Sequence, residues 1–288
     1  MRTVTYYDQD EVARIGVVTM HGVLDVAAAT ARSRGGPGAR AEPFFAEGHA
    51  AFDRLRELVE RSDGPYLPSS EALRLAPTTP DPGKILCVGL NYRRHAAESG
   101  MAVPAAPVLF SKFNNALAAH GATVAIAGLQ QVDYEAELGV VIGTGGKDIA
   151  QERALEHVLG YVNANDVSER LLQMGSGQWL LGKTLDGFLP LGPELVTSDE
   201  AGDPASMPVR GWLNGELRQD SNTSDMVFSV QEIIAYASRY MTLAPGDLIV
   251  TGTPEGVVLG RRQKDWVVPG DVYEVEVGVL GRLRTVFA

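Results

Sequence analysis

A chain of 288 residues can hold one large domain, or a main domain with a smaller partner. Hydrophobic content of 45% and charged content of 21% fit a soluble globular protein, and a net charge of −11 argues against nucleic acid as a partner. The single cysteine excludes a disulfide framework and a thiolate zinc cluster; with no signal peptide and no bilayer-spanning apolar run visible, the class is a cytoplasmic enzyme or binding protein without a membrane partner.

Residues 1–30 contain short β-like pieces at 15–19 and 22–26. The Gly-rich, basic stretch 32–38 reads as a surface loop. Residues 46–62 have helical spacing, with Phe52, Leu55, Leu58 and Val59 on one face. Pro65, Pro68, Pro77, Pro80 and Pro82 then punctuate the chain and place a domain junction between residues 65 and 83. The expected units are therefore a small N-terminal α/β domain, 1–75, and a main domain, 83–288. Beyond the junction short strands with turn signals dominate, and helices are predicted at 151–159 and 230–241. This pattern predicts an α+β fold with a β-rich core rather than a regular βαβ alternation. Cys87, within Ile85-Leu86-Cys87-Val88, reads as a buried strand residue.

The segment 132–142 reads as one strand, which places Asp133, Glu135 and Glu137 on the same side. Like charges in a row resist burial, so either this face is solvated or a cation compensates it. Carboxylate oxygens suit the hard ions Mg²⁺, Ca²⁺ and Mn²⁺. Asp166 ends a second strand-like piece; it either completes a three-carboxylate set with Glu135 and Glu137 or serves as a helix N-cap or Asx turn. Such a set would leave positions on an octahedral ion for substrate oxygens and water.

His95 and Glu98 follow a strand at 84–88 and share a face on a short helix that Gly100 closes. A carboxylate beside imidazole orients the ring and raises its basicity, which suits a general base acting on water; the alternative is a surface pair. Arg170 and Lys183 either hold a substrate carboxylate or form surface salt bridges. The turn 251–257 lacks the lysine and spacing of a phosphate-binding loop. Its backbone amides and the Thr253 hydroxyl can meet a substrate carboxylate, and a ligand-free tight turn is equally compatible. The absence of Gly-x-Ser-x-Gly and His-Glu-x-x-His counts against a serine hydrolase and a zincin.

Over residues 83–288 these segments resemble the fumarylacetoacetate hydrolase family. The markers are Gly89-Leu90-Asn91-Tyr92 with His95 and Glu98, Asp133-Tyr134-Glu135-Ala136-Glu137-Leu138, and Asn165-Asp166-Val167-Ser168 with Arg170. Lys183 with Asp186-Gly187-Phe188, the turn 251–257, and Gly270-Asp271 complete them in order. The resemblance implies a β-rich roll as catalytic domain, a homodimer, and one Mg²⁺ or Mn²⁺ per subunit at Glu135, Glu137 and Asp166, with Ca²⁺ as a possible substitute. It implies His95 and Glu98 as a water-activating pair on a lid, with Lys183 catalytic beside the metal site. Asn91, Tyr92, Arg170, Gln173 and Thr253 would contact substrate. Leu171 departs from the family, which usually carries an acid there, and this puts an ion pair with Arg170 in doubt.

The activity so implied is metal-dependent cleavage of a C–C bond in a small 1,3-diketo or 2-oxo acid, with acylpyruvate hydrolysis as first choice. The alternatives are oxaloacetate decarboxylation, isomerisation or decarboxylation of unsaturated ring-cleavage acids, and a non-catalytic 2-oxo acid sensor.

Overall fold

The computed structural model describes residues 1–32 and 39–288, so the stretch 32–38 expected as a loop lies, beyond Arg32, outside the described residues. Among these residues eleven strands form one sheet, whose middle runs through Arg2–Tyr7, Leu189–Thr197, Val158–Asn165, Ala136–Ile142, Leu248–Val250 and Ile85–Gly89 to the edge strand Val108–Ser111. Strands buried on both faces read as continuous apolar runs rather than alternating ones, and 138–142 is such a run. Its successive side chains enter different cores. Leu138, Val140 and Ile142 pack on one side of the sheet with Leu86, Val88 and Ile249. Val141 packs on the other with Ile85, Leu248, Val250 and the buried Cys87.

The second of these faces is covered by the helices Ala41–Glu47 and His49–Arg61, through Phe44, Phe45, Phe52, Leu55 and Leu58. The sequence-predicted helix over 46–62 is interrupted at Gly48, which has φ +57°; a Cβ there would lie 1.9 Å from the Gly143 carbonyl oxygen, so only glycine fits. The first face is covered by the helix Val230–Tyr240 and by a five-stranded sheet ordered Glu216–Asn222, Pro208–Leu213, Val272–Val277, Arg282–Phe287 and Thr123–Val124. A capping box starts that helix: Ser229 Oγ accepts the Glu232 N–H, and the Glu232 carboxylate accepts the Ser229 N–H at 2.8 Å.

The helix expected at 151–159 is a shorter 3₁₀ segment, Gln151–His157, because Val158 and Leu159 begin a central strand and are claimed by the two cores. At the other end of the large sheet, Arg2 and Thr3 pair with Val196 and Leu195, and Ala13–Thr19, Gly22–Asp25 and Tyr66–Leu67 extend it outward. These N-terminal strands thus lengthen the sheet of the main unit and share its core. The architecture is mixed α+β, mostly sheet with some helices, as the sequence predicts, and among the described residues no sheet closes into a barrel.

Candidate active site

The acidic segment is not one strand. It breaks at Tyr134 and Glu135, so that Val132–Asp133 pairs with Ser168–Glu169 in a separate two-stranded ribbon while Ala136–Ile142 enters the main sheet. Two long-range bonds hold the break open: the Glu135 N–H donates to Asn165 Oδ1 at 3.1 Å and the Ala136 N–H to Gln219 Oε1 at 2.8 Å. Asp133 consequently belongs to the ribbon rather than to the main sheet, and Arg170 Nη2 bridges its carboxylate to that of Glu135. The Asp133 carboxylate accepts the N–H groups of Val258 and Leu259 and pairs with Arg170, so it serves as an anchor for Arg170 and the 258–259 turn.

Asp166 does join Glu135 and Glu137. Antiparallel pairing aligns Ala136 with Asn165, and the Asp166 N–H donates to the Glu135 carbonyl at 3.0 Å, which places the two acids side by side at the strand ends. One oxygen from each of Glu135, Glu137 and Asp166 lies within 4.8 Å of the others, and all three residues are buried. Lys183 Nζ lies 2.8 Å from Glu135 and 2.7 Å from Asp166. Arg170 lies 2.7 Å from Glu135. Lys112 reaches the other Asp166 oxygen at 2.6 Å and donates to the Val167 and Phe188 carbonyls.

Four carboxylates, counting Asp133, therefore face three cations, and the member without a cationic partner among the described residues is Glu137. Among the described residues its hydrogen-bond donor is the Gly252 N–H, at 2.6 Å. Burial, with Asp166 and Glu135 adding repulsion, pushes the Glu137 carboxyl well above the usual range. Burial also acts on Glu135, but Lys183 and Arg170 outweigh it and hold that carboxyl well below the usual range. Burial would lower the Lys183 pKa, yet Asp166 and Glu135 raise it overall, so its ammonium stays charged. Lys112 is shifted down because burial outweighs Asp166. An all-oxygen donor set one positive charge short fits a hard divalent ion such as Mg²⁺ or Mn²⁺.

Beside this cluster is a cavity of about 40 Å³, lined by Glu135, Glu137, His95, Arg170, Gln173, Lys183 and Thr253, with Trp179, Phe110, Met101 and Leu259 as apolar walls. Arg170 Nη1 donates to Gln173 Oε1 at 2.8 Å and so orients its amide. The doubt raised by Leu171 is resolved here: Leu171 is exposed, and the Arg170 ion pairs are made by Asp133 and Glu135. The Thr253 hydroxyl donates to the Ala136 carbonyl and accepts from Gln219, so its proton is already committed within the protein.

Two expected substrate contacts sit elsewhere. Asn91 is fully buried, and its amide staples the backbone, donating to the Phe228 and Thr251 carbonyls and accepting the Phe228 N–H. Tyr92 is also buried, bridges to Met226, and does not line the cavity. His95 and Glu98 lie on the short helix Arg93–Glu98, as expected, but His95 Nδ1 is 3.7 Å from Glu98 Oε2, beyond hydrogen-bond range. The Glu98 carboxylate instead accepts the Gly256 N–H at 3.2 and 3.1 Å, and His95 Nδ1 has no hydrogen-bond partner among the described residues. Lys112, Trp179 and Gln219 were not anticipated. A lysine at the end of the strand that carries the apolar run 108–110, one residue past it, is a local hint of the first; nothing local marks the other two.

The family model for the fumarylacetoacetate (FAA) hydrolase C-terminal domain matches residues 84–288. The chain is 44% identical over 241 residues to the oxaloacetate tautomerase FAHD2B, mitochondrial, of Bos taurus, covering 83% of this chain and 76% of that protein. A similar protein of Xenopus laevis, oxaloacetate tautomerase fahd2, mitochondrial, is 42% identical over 247 residues, covering 85% and 77%. Among solved structures, a fumarylacetoacetate hydrolase from Exiguobacterium antarcticum superposes with a TM-score of 0.82 at 36% identity, covering 100% of both chains. The mitochondrial designation of the animal relatives contrasts with the cytoplasmic location expected from the sequence; within this chain, no helix among the described residues is long and apolar enough to cross a membrane. On the family match, the relatives and the shared fold, the chain belongs to the fumarylacetoacetate hydrolase family.

Proposed function

We propose that this protein is a divalent-cation-dependent tautomerase of oxaloacetate, interconverting its enol and keto forms. This replaces acylpyruvate hydrolysis, the first choice from sequence, and moves toward the oxaloacetate and isomerase alternatives. The observation that carries it is the 3.7 Å separation of His95 and Glu98, with Glu98 turned to the Gly256 N–H. Hydrolysis needs a base oriented to activate water, whereas tautomerisation needs only a proton carrier beside the substrate. His95, lining the cavity with an unpartnered Nδ1, meets the second requirement. The names of the relatives at 42–44% identity support the same substrate.

Glu135, Glu137 and Asp166 would hold the ion, which would supply Lewis-acid stabilisation of the negative charge on the enolate oxygen. Lys183 spends two of its N–H groups on Glu135 and Asp166 and keeps the third for the oxygen on C2 of the substrate. His95 takes the enol hydroxyl proton and delivers one to C3, so the enol O–H and the C=C π bond give way to a C–H bond and a C2 carbonyl. The Thr253 backbone N–H, rather than its committed hydroxyl, receives the adjacent carboxylate. Gln173 contacts the far end of the substrate.

A second reading, hydrolysis, is favoured by the His95–Glu98 i,i+3 placement, since a side-chain rotation would bring the pair into contact. Product analysis with Mg²⁺ separates the readings. Tautomerisation predicts rapid enol–keto interconversion of oxaloacetate, little CO₂, no cleavage of acetylpyruvate, and a loss of roughly 10²-fold or more in His95→Ala. Acetylpyruvate cleavage faster than oxaloacetate interconversion would overturn the proposal.

A further inference from the structure

We propose that Gln219, on the strand Glu216–Asn222 of the five-stranded sheet, is a positioning residue that sets the substrate-carboxylate subsite at a fixed distance from the acidic trio; this rests on the reading of Thr253 given above. Gln219 is buried, and its one amide group joins two parts of the site. Its Oε1 accepts the Ala136 N–H at 2.8 Å and the Tyr273 hydroxyl at 2.6 Å. Its Nε2 donates to Thr253 Oγ1 and the Pro254 carbonyl at 2.9 Å each, and to the Glu255 carbonyl at 3.3 Å. Ala136 lies between Glu135 and Glu137, so the Oε1 side holds the backbone that carries two of the three acids. The Nε2 side holds the loop that presents Thr253.

The surroundings are shaped for this contact. Gly211 pairs across the sheet with Gln219, and a Cβ at Gly211 would lie 1.8 Å from Tyr273 Oη, so glycine leaves the opening through which the Tyr273 hydroxyl reaches the amide. Tyr273 is itself fixed by stacking on Tyr134 at 4.2 Å. Gly256, with φ +100°, lays the loop directly on the strand, where a Cβ would be 2.0 Å from the Arg218 carbonyl oxygen. Only an amide satisfies both sides: a carboxylate keeps the acceptor for Ala136 and Tyr273 but has no proton for two carbonyls and a hydroxyl.

Gln219→Glu therefore tests the proposal, with Mn²⁺ and oxalate as probes, because oxalate reproduces the vicinal oxygens of a 2-oxo acid without turning over. Calorimetric titration should find oxalate binding to the Mn²⁺-loaded variant weakened roughly tenfold or more, because the donors to the Thr253 loop are lost. Mn²⁺ affinity should stay within about threefold of wild type, since the ligands themselves are untouched, and with oxaloacetate KM should rise more than kcat falls. Tyr273→Phe, which keeps the ring stack and removes one bond, should weaken oxalate in the same direction by a smaller factor. Unchanged oxalate binding in both variants, or Mn²⁺ and oxalate affinity falling together with a lowered melting temperature, would overturn it. Wild-type protein that binds Mn²⁺ but no oxalate would overturn both this inference and the function it rests on; normal oxalate effects without oxaloacetate turnover would overturn the tautomerase reading alone.

Discussion

Replacing Glu137 with glutamine should weaken Mn²⁺ or Mg²⁺ binding by on the order of 10²-fold or more, since even residues that merely support metal ligands typically contribute 10- to 100-fold. Oxaloacetate interconversion should fall with it. The same change should leave the ion-free protein at least as stable as wild type near neutral pH. In the ion-free fold Glu137 is a buried carboxylate without a cation, and its carboxyl is pushed well above the usual range by burial, Asp166 and Glu135. A carboxyl raised in this way costs stability at every pH above its unfolded value, because the unfolded chain ionises freely and the fold resists it. A neutral amide removes that cost while keeping the shape and, through its oxygen, the acceptor for the Gly252 N–H. Thermal melts with and without Mn²⁺ check both halves: wild type should be stabilised by the ion and Glu137→Gln should not. A variant that still gains stability from Mn²⁺ would remove Glu137 from the site.

The second large effect is at Lys183. Lys183→Met should lower turnover by roughly 10²–10³-fold, the range for loss of a positioned hydrogen-bond donor to a developing oxyanion. Divalent-ion affinity should be maintained or increased, because the buried ammonium contributes positive charge 2.8 Å from Glu135 and 2.7 Å from Asp166 and so opposes a second cation there. The opposite signs of the two readouts distinguish this role from simple structural support. Removing a structural lysine would disorder Glu135 and Asp166 and weaken ion binding and turnover together. Mn²⁺ titration followed by kinetics on the loaded variant separates the cases.

Which parts of this site are legible in the sequence follows from where the restraints come from. Glu135, Glu137 and Asp166 stand out because acids flanking apolar, two-sided strands need compensation, and the structure brings these three together. Arg170 and Lys183 are readable as cations near those acids. The single strand expected over 132–142 is misread, because strict alternation assumes an unbroken strand. The break at Tyr134 and Glu135 depends on Asn165 and Gln219, which lie 30 and 83 residues away from their partners and leave no local trace. The partners of Asn91 are illegible for a related reason: a polar residue near His95 looks the same in sequence whether its amide meets a ligand or the Phe228 and Thr251 backbone, as it does here. The choice between hydrolysis and tautomerisation turns on the His95–Glu98 separation, which helical spacing does not specify. The fold class is readable from strand-rich patterning and turn chemistry, whereas the continuation of the main sheet through the N-terminal strands is a pairing of Arg2 and Thr3 with residues about 190 positions later.

The most direct measurement is proton NMR of oxaloacetate in D₂O, following enol–keto interconversion and deuterium incorporation at C3 with wild-type protein, with and without Mg²⁺, and with Glu137→Gln. The account predicts interconversion and C3 labelling well above the uncatalysed rate, dependent on Mg²⁺ and lost in the variant. Labelling no faster than in buffer with Mg²⁺ alone, or catalysis equal in wild type and Glu137→Gln, would contradict it.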